Sequence, residues 1–244
     1  MIRTIRMIPP GRLRPSLAAR LRLAATCGAL ALGLAATTAP AAFAGPAKPA
    51  PPAPSGQADV NRLAALMEEL MPFGRVFDML AAQDPAWPMQ DMPRASTPER
   101  LRCLRGELSS AGYHRARMQD ARAYVSANPS RVADDIALLE KGAAQVFGRM
   151  MMAGVESKAK GGADVDAAAM MRELTPEQMS SFLTFLNDPN YAPLRKQIGL
   201  GDALDNSKSA AENQAAGERL GASLASQLML KAVGTCNIPM SDLL

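Results

Sequence analysis

Ser130 to Met152 reads SRVADDIALLEKGAAQVFGRMMM, and the spacing within it decides the fold. Val132, Ile136, Leu139, Ala143, Val146 and Met150 recur at steps of four and three. Such steps return to one face of an α-helix, whereas a half-buried strand alternates at every second residue. The stretch is therefore expected to be a bundle helix with one buried side, and Ser130 is placed to cap it.

The same period continues on both sides. Downstream, Lys158 to Gly162 interrupts it, and a short helix is expected over Val165 to Glu173. Thr175-Pro176-Glu177-Gln178 then supplies a cap, a proline at the first helical position and the glutamine of a capping box. Phe182, Leu183, Phe185 and Leu186 give that helix an apolar side, and Asp188-Pro189 stops it. A long last helix is expected from about Ser207 to Val233, with Leu220, Leu224 and Leu228 at spacing four. Upstream, Ser96 and Glu99 are spaced as a capping box for a helix carrying Leu101, Leu104 and Leu108, which Asn128-Pro129 ends. Before it, Leu63, Leu66, Met67, Leu70, Phe77 and Leu80 share a face that Pro72 should kink or break. Aromatic residues make up 4% of the chain and runs of β-branched residues are absent, so strand formers are scarce. The expectation is all-α: a single multi-helix, bundle-like domain over residues 59–244.

One segment carries a family likeness. Leu174-Thr175-Pro176-Glu177-Gln178, running into Phe182-Leu183-Thr184-Phe185-Leu186-Asn187-Asp188-Pro189, resembles the C-terminal helical region of domain of unknown function 2059. The likeness spans about residues 165–205. It departs after Pro189, where Asn190-Tyr191-Ala192 stands in place of a small residue and glycine. Members of that family are exported bacterial helical proteins without an established activity. The resemblance thus implies export and a helical fold, and brings no catalytic residue with it.

The N-terminus gives an independent indication of export. Six arginines, from Arg3 to Arg22, precede an apolar run from Leu23 to Ala36, and Ala42-Phe43-Ala44 closes the segment. A basic region, an apolar region and an A-x-A end are the parts of a cleavable secretory signal, expected here over residues 1–44. The apolar run is shorter than the ~20 residues that span a bilayer. No adjacent arginine pair marks the twin-arginine route, and the run continues past Cys27, unlike a lipid-attachment site. Residues 45–58 hold five prolines among small residues and are expected to form an extended linker. Residues 1–44 contain six of the 27 Lys and Arg and none of the 23 acids, so the remainder carries −2 where the whole carries +4. The basic character therefore belongs to the leader and gives no support to nucleic-acid binding.

Removal of the leader leaves two cysteines, Cys103 and Cys236. In the oxidising compartment that a signal implies, they are expected to pair. Their wide separation excludes a C-x-x-C redox motif or a zinc ribbon.

Candidate chemistry is sparse. His114 is the lone histidine, with no acidic neighbour in Gly112-Tyr113-His114-Arg115 to orient it as a base. Asp164 and Asp166 precede a helix but lack the other ligands of a calcium loop. Glu68-Glu69 and Asp134-Asp135 read as solvated helix faces. Met150-Met151-Met152 and Met170-Met171 are expected in the interior. Met89 and Met92, beside Trp87 in a proline-bounded loop, are soft thioethers able to hold copper(I), with His114 as a distant third ligand. Otherwise that loop is a hydrophobic cover over a helix groove. The expected function is a periplasmic or secreted, non-enzymatic module that binds another envelope protein. It has no cofactor, no nucleic-acid partner and no transmembrane segment after cleavage. Copper binding and an unrecognised carboxylate enzyme are the alternatives.

Overall fold

The computed structural model describes residues 56–90, 97–159, 165–201 and 210–242. The leader, most of the linker, Met92, Ser96 and Asp164 lie outside these ranges. Among the described residues every regular element is helical, so the fold is all-α as expected.

Helix α1 (Gln57–Leu70) and α2 (Phe73–Gln83) are parted at Met71-Pro72. Proline has no N–H to donate into a continuing helix, and its ring crowds the preceding turn. α1 begins two residues inside the stretch that proline content assigned to the linker.

Helix α3 (Pro98–Leu108) is capped by Thr97, whose hydroxyl accepts from the Arg100 amide at 3.3 Å. The cap is thus one residue later than the Ser96–Glu99 box implied, with Pro98 in the first helical position it favours. The single helix expected to run on to Asn128 is two. Ser109 ends α3 and caps α4 (Ser110–Ala127), accepting from the Gly112 amide at 3.2 Å and donating to Gly106 O at 2.8 Å. A Cβ on Gly112 would sit 2.2 Å from Glu107 O, so only glycine permits this fold-back.

The stretch that decides the fold is also divided. α5 (Val132–Leu138) passes through a wide π-turn (Leu139–Ala143) into α6 (Ala144–Ala159). Gly142 takes φ 118° there, and a Cβ would meet the Gln178 side chain at 2.7 Å. Ser130 does not cap α5; Arg131 holds that position and makes no side-chain capping bond.

α7 (Ala167–Arg172) is shorter than expected at both ends and is capped by Asp166, which accepts from Ala169 N. α8 (Pro176–Asn187) opens with the full capping box: Thr175 Oγ1 accepts from Gln178 N, and Gln178 Oε1 accepts from Thr175 N. A 3-10 turn (Pro189–Tyr191), α9 (Ala192–Gln197) and the long α10 (Ala210–Thr235) complete the order, with a last 3-10 turn over Met240–Asp242.

α1 lies at the centre, packed on α4 and on α6, with Leu63, Met67 and Leu70 fully buried. Burying one such side chain contributes about 1.5–3 kcal/mol. A second, smaller core gathers Val146, Met150, Met171 and Phe182, and Phe147 and Leu186 border both. In α10 the deepest line is Ala225, Met229, Ala232 and Val233, while Leu220, Leu224 and Leu228 flank it half-buried. Cys103 and Cys236 are bonded, with Cα atoms 5.9 Å apart, so the end of α10 is fixed to α3. Arg100 Nη1 adds a 2.8 Å bond to Asp242 Oδ2 in the tail.

Candidate binding cleft

Two glycines bring the central helices close enough to shape a cleft. Gly148 of α6 lies against α1, where a Cβ would stand 2.0 Å from Glu69 O. Gly74 of α2 lies against α4, where a Cβ would stand 2.7 Å from Ser110 Cα. Between these crossings opens a cleft of about 610 Å³. Pro72, Met152, Ala153 and Met170 give it apolar walls. Glu68, Glu69, Arg75, Arg149 and Glu156 place charges of both signs around it. The volume lies within the ~300–1,000 Å³ typical of ligand sites.

Several of these polar groups are already engaged. Arg149 Nη2 pairs with Glu173 Oε2 at 3.1 Å, and Glu68 Oε1 meets His114 Nδ1 at 2.5 Å. Glu69 and Arg75 have no ion-pair partner among the described residues. Tyr113, 4% exposed, forms part of the cleft wall, and its burial pushes the phenol up to about 12, against the lowering effect of Arg117. It is a neutral hydrogen-bonding group throughout the physiological range.

His114 therefore has the carboxylate that its sequence neighbours lack. Glu68 arrives from α1, 46 residues upstream, so no local pattern announced it. A carboxylate at Nδ1 of a half-exposed imidazole is one element of the arrangement a general base requires. Ser110, one helical turn before His114, is committed elsewhere: its hydroxyl donates to Asp78 Oδ2 at 2.5 Å. No nucleophile is bonded to the imidazole among the described residues.

Met89 is 2% exposed and belongs to the main core. Its loop folds inward behind Trp87, which stacks on Phe77 with ring centroids 5.6 Å apart. Arg105 holds that loop, donating to Trp87 O and Asp84 O at 2.8 Å each. The thioether of Met89 thus lies within the core rather than at the surface. Among the described residues no three of His, Cys, Asp and Glu gather as a metal site.

Asp135 departs from its expected place on a solvated face. It is 0% exposed, accepts from the Tyr124 hydroxyl at 2.5 Å and meets Arg131 Nη2 at 3.4 Å. Burial raises its carboxyl above the ordinary range, partly offset by the Tyr124 bond and the Arg131 charge. Burial and the Asp135 bond raise the Tyr124 phenol as well. Asp134 continues to face solvent, and only the angular offset between adjacent helical positions separates the two.

No protein-family model, curated protein or solved structure matches the chain. The likeness to domain of unknown function 2059 accordingly rests on residues 174–189 themselves.

Proposed function

We propose that the chain is an exported, non-catalytic module that binds a segment of another envelope protein in the cleft between α1, α2, α4 and α6. The observation that carries this reading is the pairing of a methionine-bearing wall with a rim of both charges. Methionine adapts its shape to varied partners, while charges at a rim steer and select them. The complement is a peptide with an apolar anchor flanked by a base that meets Glu69 and an acid that meets Arg75. The leader at residues 1–44, the disulfide and the family likeness support a periplasmic or secreted location. No helix among the described residues is long and apolar enough to cross a membrane.

A photo-crosslinking residue at Ala153 tests the proposal in cells. The expected result is a discrete adduct that disappears in the Glu69→Lys, Arg75→Glu double variant. An adduct unchanged by both reversals, or none at native expression, would refute it.

A second reading, acid–base catalysis, is favoured by the Glu68–His114 contact alone. A turnover that survives His114→Gln unchanged would dispose of it. A copper(I) role would draw on Met89 and Met92 and would require Met89 to leave the core. Copper(I) affinity unchanged in Met89→Leu, Met92→Leu would end that reading.

A further inference from the structure

A second cavity, of about 270 Å³, lies on another part of the molecule where α4, the end of α9 and α10 meet. Its charged lining consists of Arg117, Lys196, Lys231 and Asp120. Three cations thus face one acid.

The arginine is built in. Its side chain is 12% exposed, and its guanidinium carbon lies 4.9 Å from the centroid of the Tyr113 ring. Asp120 Oδ2 accepts from Nη2 at 2.6 Å, and the buried Nε–H finds no acceptor. An N–H sealed from water without a partner is unfavourable, so the group remains short of acceptors. Lys196 is held at the rim by the turn that ends α9. Gly199 there takes φ 87°, and a Cβ would meet Leu224 at 2.3 Å, so α9 and α10 close tightly together. Gln197 Nε2 donates to Asp120 O at 3.4 Å, linking α9 to α4. Lys231 Nζ meets only the neutral Gln119 Oε1, at 3.3 Å, and neither lysine has a carboxylate partner among the described residues.

We propose that this cavity binds a small multivalent oxyanion, a phosphate or a compact polycarboxylate, held by Arg117, Lys196 and Lys231. The three cations converge from three separate segments, and Asp120 neutralises one of them. A divalent anion balances the remaining two, and the volume admits a ligand of that size. The guanidinium fork suits paired oxygens, and the two ammonium groups act as point charges. The inference is independent of the cleft, since the two share only the Tyr113 ring in their walls.

Calorimetric titration of the full folded chain, its disulfide intact, with inorganic phosphate and separately with citrate tests the site. Ionic strength must be held fixed, because screening alone weakens such contacts. Binding of at least one anion at millimolar Kd or tighter is expected, and the tighter of the two identifies the ligand chemistry. Lys196→Gln and Lys231→Gln should each weaken it about fivefold, the loss of one charge at contact distance in water. Both lysines are exposed, so melting without anion should not change; Lys141→Gln, away from the cavity, should bind as the parent does. Absence of binding up to about 10 mM of either anion, well above the range a three-cation site implies, would overturn the proposal. An equal loss in Lys141→Gln would also overturn it, by showing general charge attraction.

Discussion

Replacing Gly148 by alanine sets two physical effects against each other. In a helix interior the exchange is favourable by about 1 kcal/mol, because alanine leaves less backbone freedom to lose. At this site the new methyl would stand 2.0 Å from Glu69 O, well inside any contact distance. The obstacle is the backbone of α1, which cannot swing aside as a side chain does. α1 and α6 must separate, and α1 is the helix around which the core is assembled. Overpacking of that kind costs about 1–3 kcal/mol, and the loosened contacts of Leu70 and Met152 place this case toward the upper end. Net destabilisation of about 1–2 kcal/mol is expected, a fall in Tm of about 2–8 °C for a domain of this size. Gly106 is the matched control. It lies within α3 with no atom inside 4 Å of a built Cβ, so Gly106→Ala should stabilise by up to about 1 kcal/mol. Urea unfolding of both variants, with the disulfide intact, gives the two signs directly. Gly148→Ala as stable as the parent would refute the argument that close backbone approach shapes the cleft.

Asp135 gives a pH signature. Its folded pKa is raised, so its contribution to stability is complete below the unfolded value and is lost as pH rises through the folded one. Asp135→Asn should therefore gain on the parent in urea unfolding as pH rises above the ordinary aspartate value of about 4; a parent that gains instead would reverse the assignment. Tyr124→Phe leaves that carboxylate short of a buried donor and should cost about 1–3 kcal/mol by the same assay, and no measurable cost would deny the bond its role. Reducing Cys103–Cys236 frees a loop of 133 residues and should lower stability by up to about 5 kcal/mol, with a larger m-value from the more expanded unfolded chain. An unchanged midpoint with and without reductant would contradict this. Met89→Ala should cost about 2–5 kcal/mol as a cavity in the core, while Met89→Leu costs less than about 1.5. Equal losses in the two would show that the thioether, and not its volume, matters there.

The helical period, the interior methionines and the Thr175–Gln178 box were legible because each is local: it depends on residues within one or two turns. The breaks were harder. Ser109 divides a helix whose apolar stripe continues on both sides, and the only signal was Ser109-Ser110 ahead of Gly112. At Leu139–Ala143 the four-and-three spacing survives the π-turn, so periodicity alone gave no notice of it. Beyond the turn α6 serves both cores, Ala144, Met151, Met152 and Val155 facing the main one and Val146 and Met150 the smaller. The cleft was illegible for a different reason. Glu68 meets His114 and Gly148 meets Glu69 across long stretches of chain, and such meetings follow from packing. Asp135 shows the limit of pattern reading: its neighbour Asp134 has the same chemistry, and burial alone separates them.

The covalent link from α3 to the end of α10 also determines how the molecule bears tension. The linker enters at α1, so a pull between the two termini acts first on residues 56–102 and on the short tail after Cys236. The chain between the cysteines, a sequence separation of 133, lies inside a closed ring and carries no direct covalent load while the bond stands. At about 3.6 Å per residue, that ring withholds roughly 480 Å of contour length from any stretching force. All of α4 to α10 and the end of α3 are thus mechanically sheltered, while α1, the central strut of the core, lies on the loaded side. The cleft therefore straddles the boundary: the walls that α1 and α2 supply lie on the loaded side of the bond, and the wall that α6 supplies lies on the sheltered side.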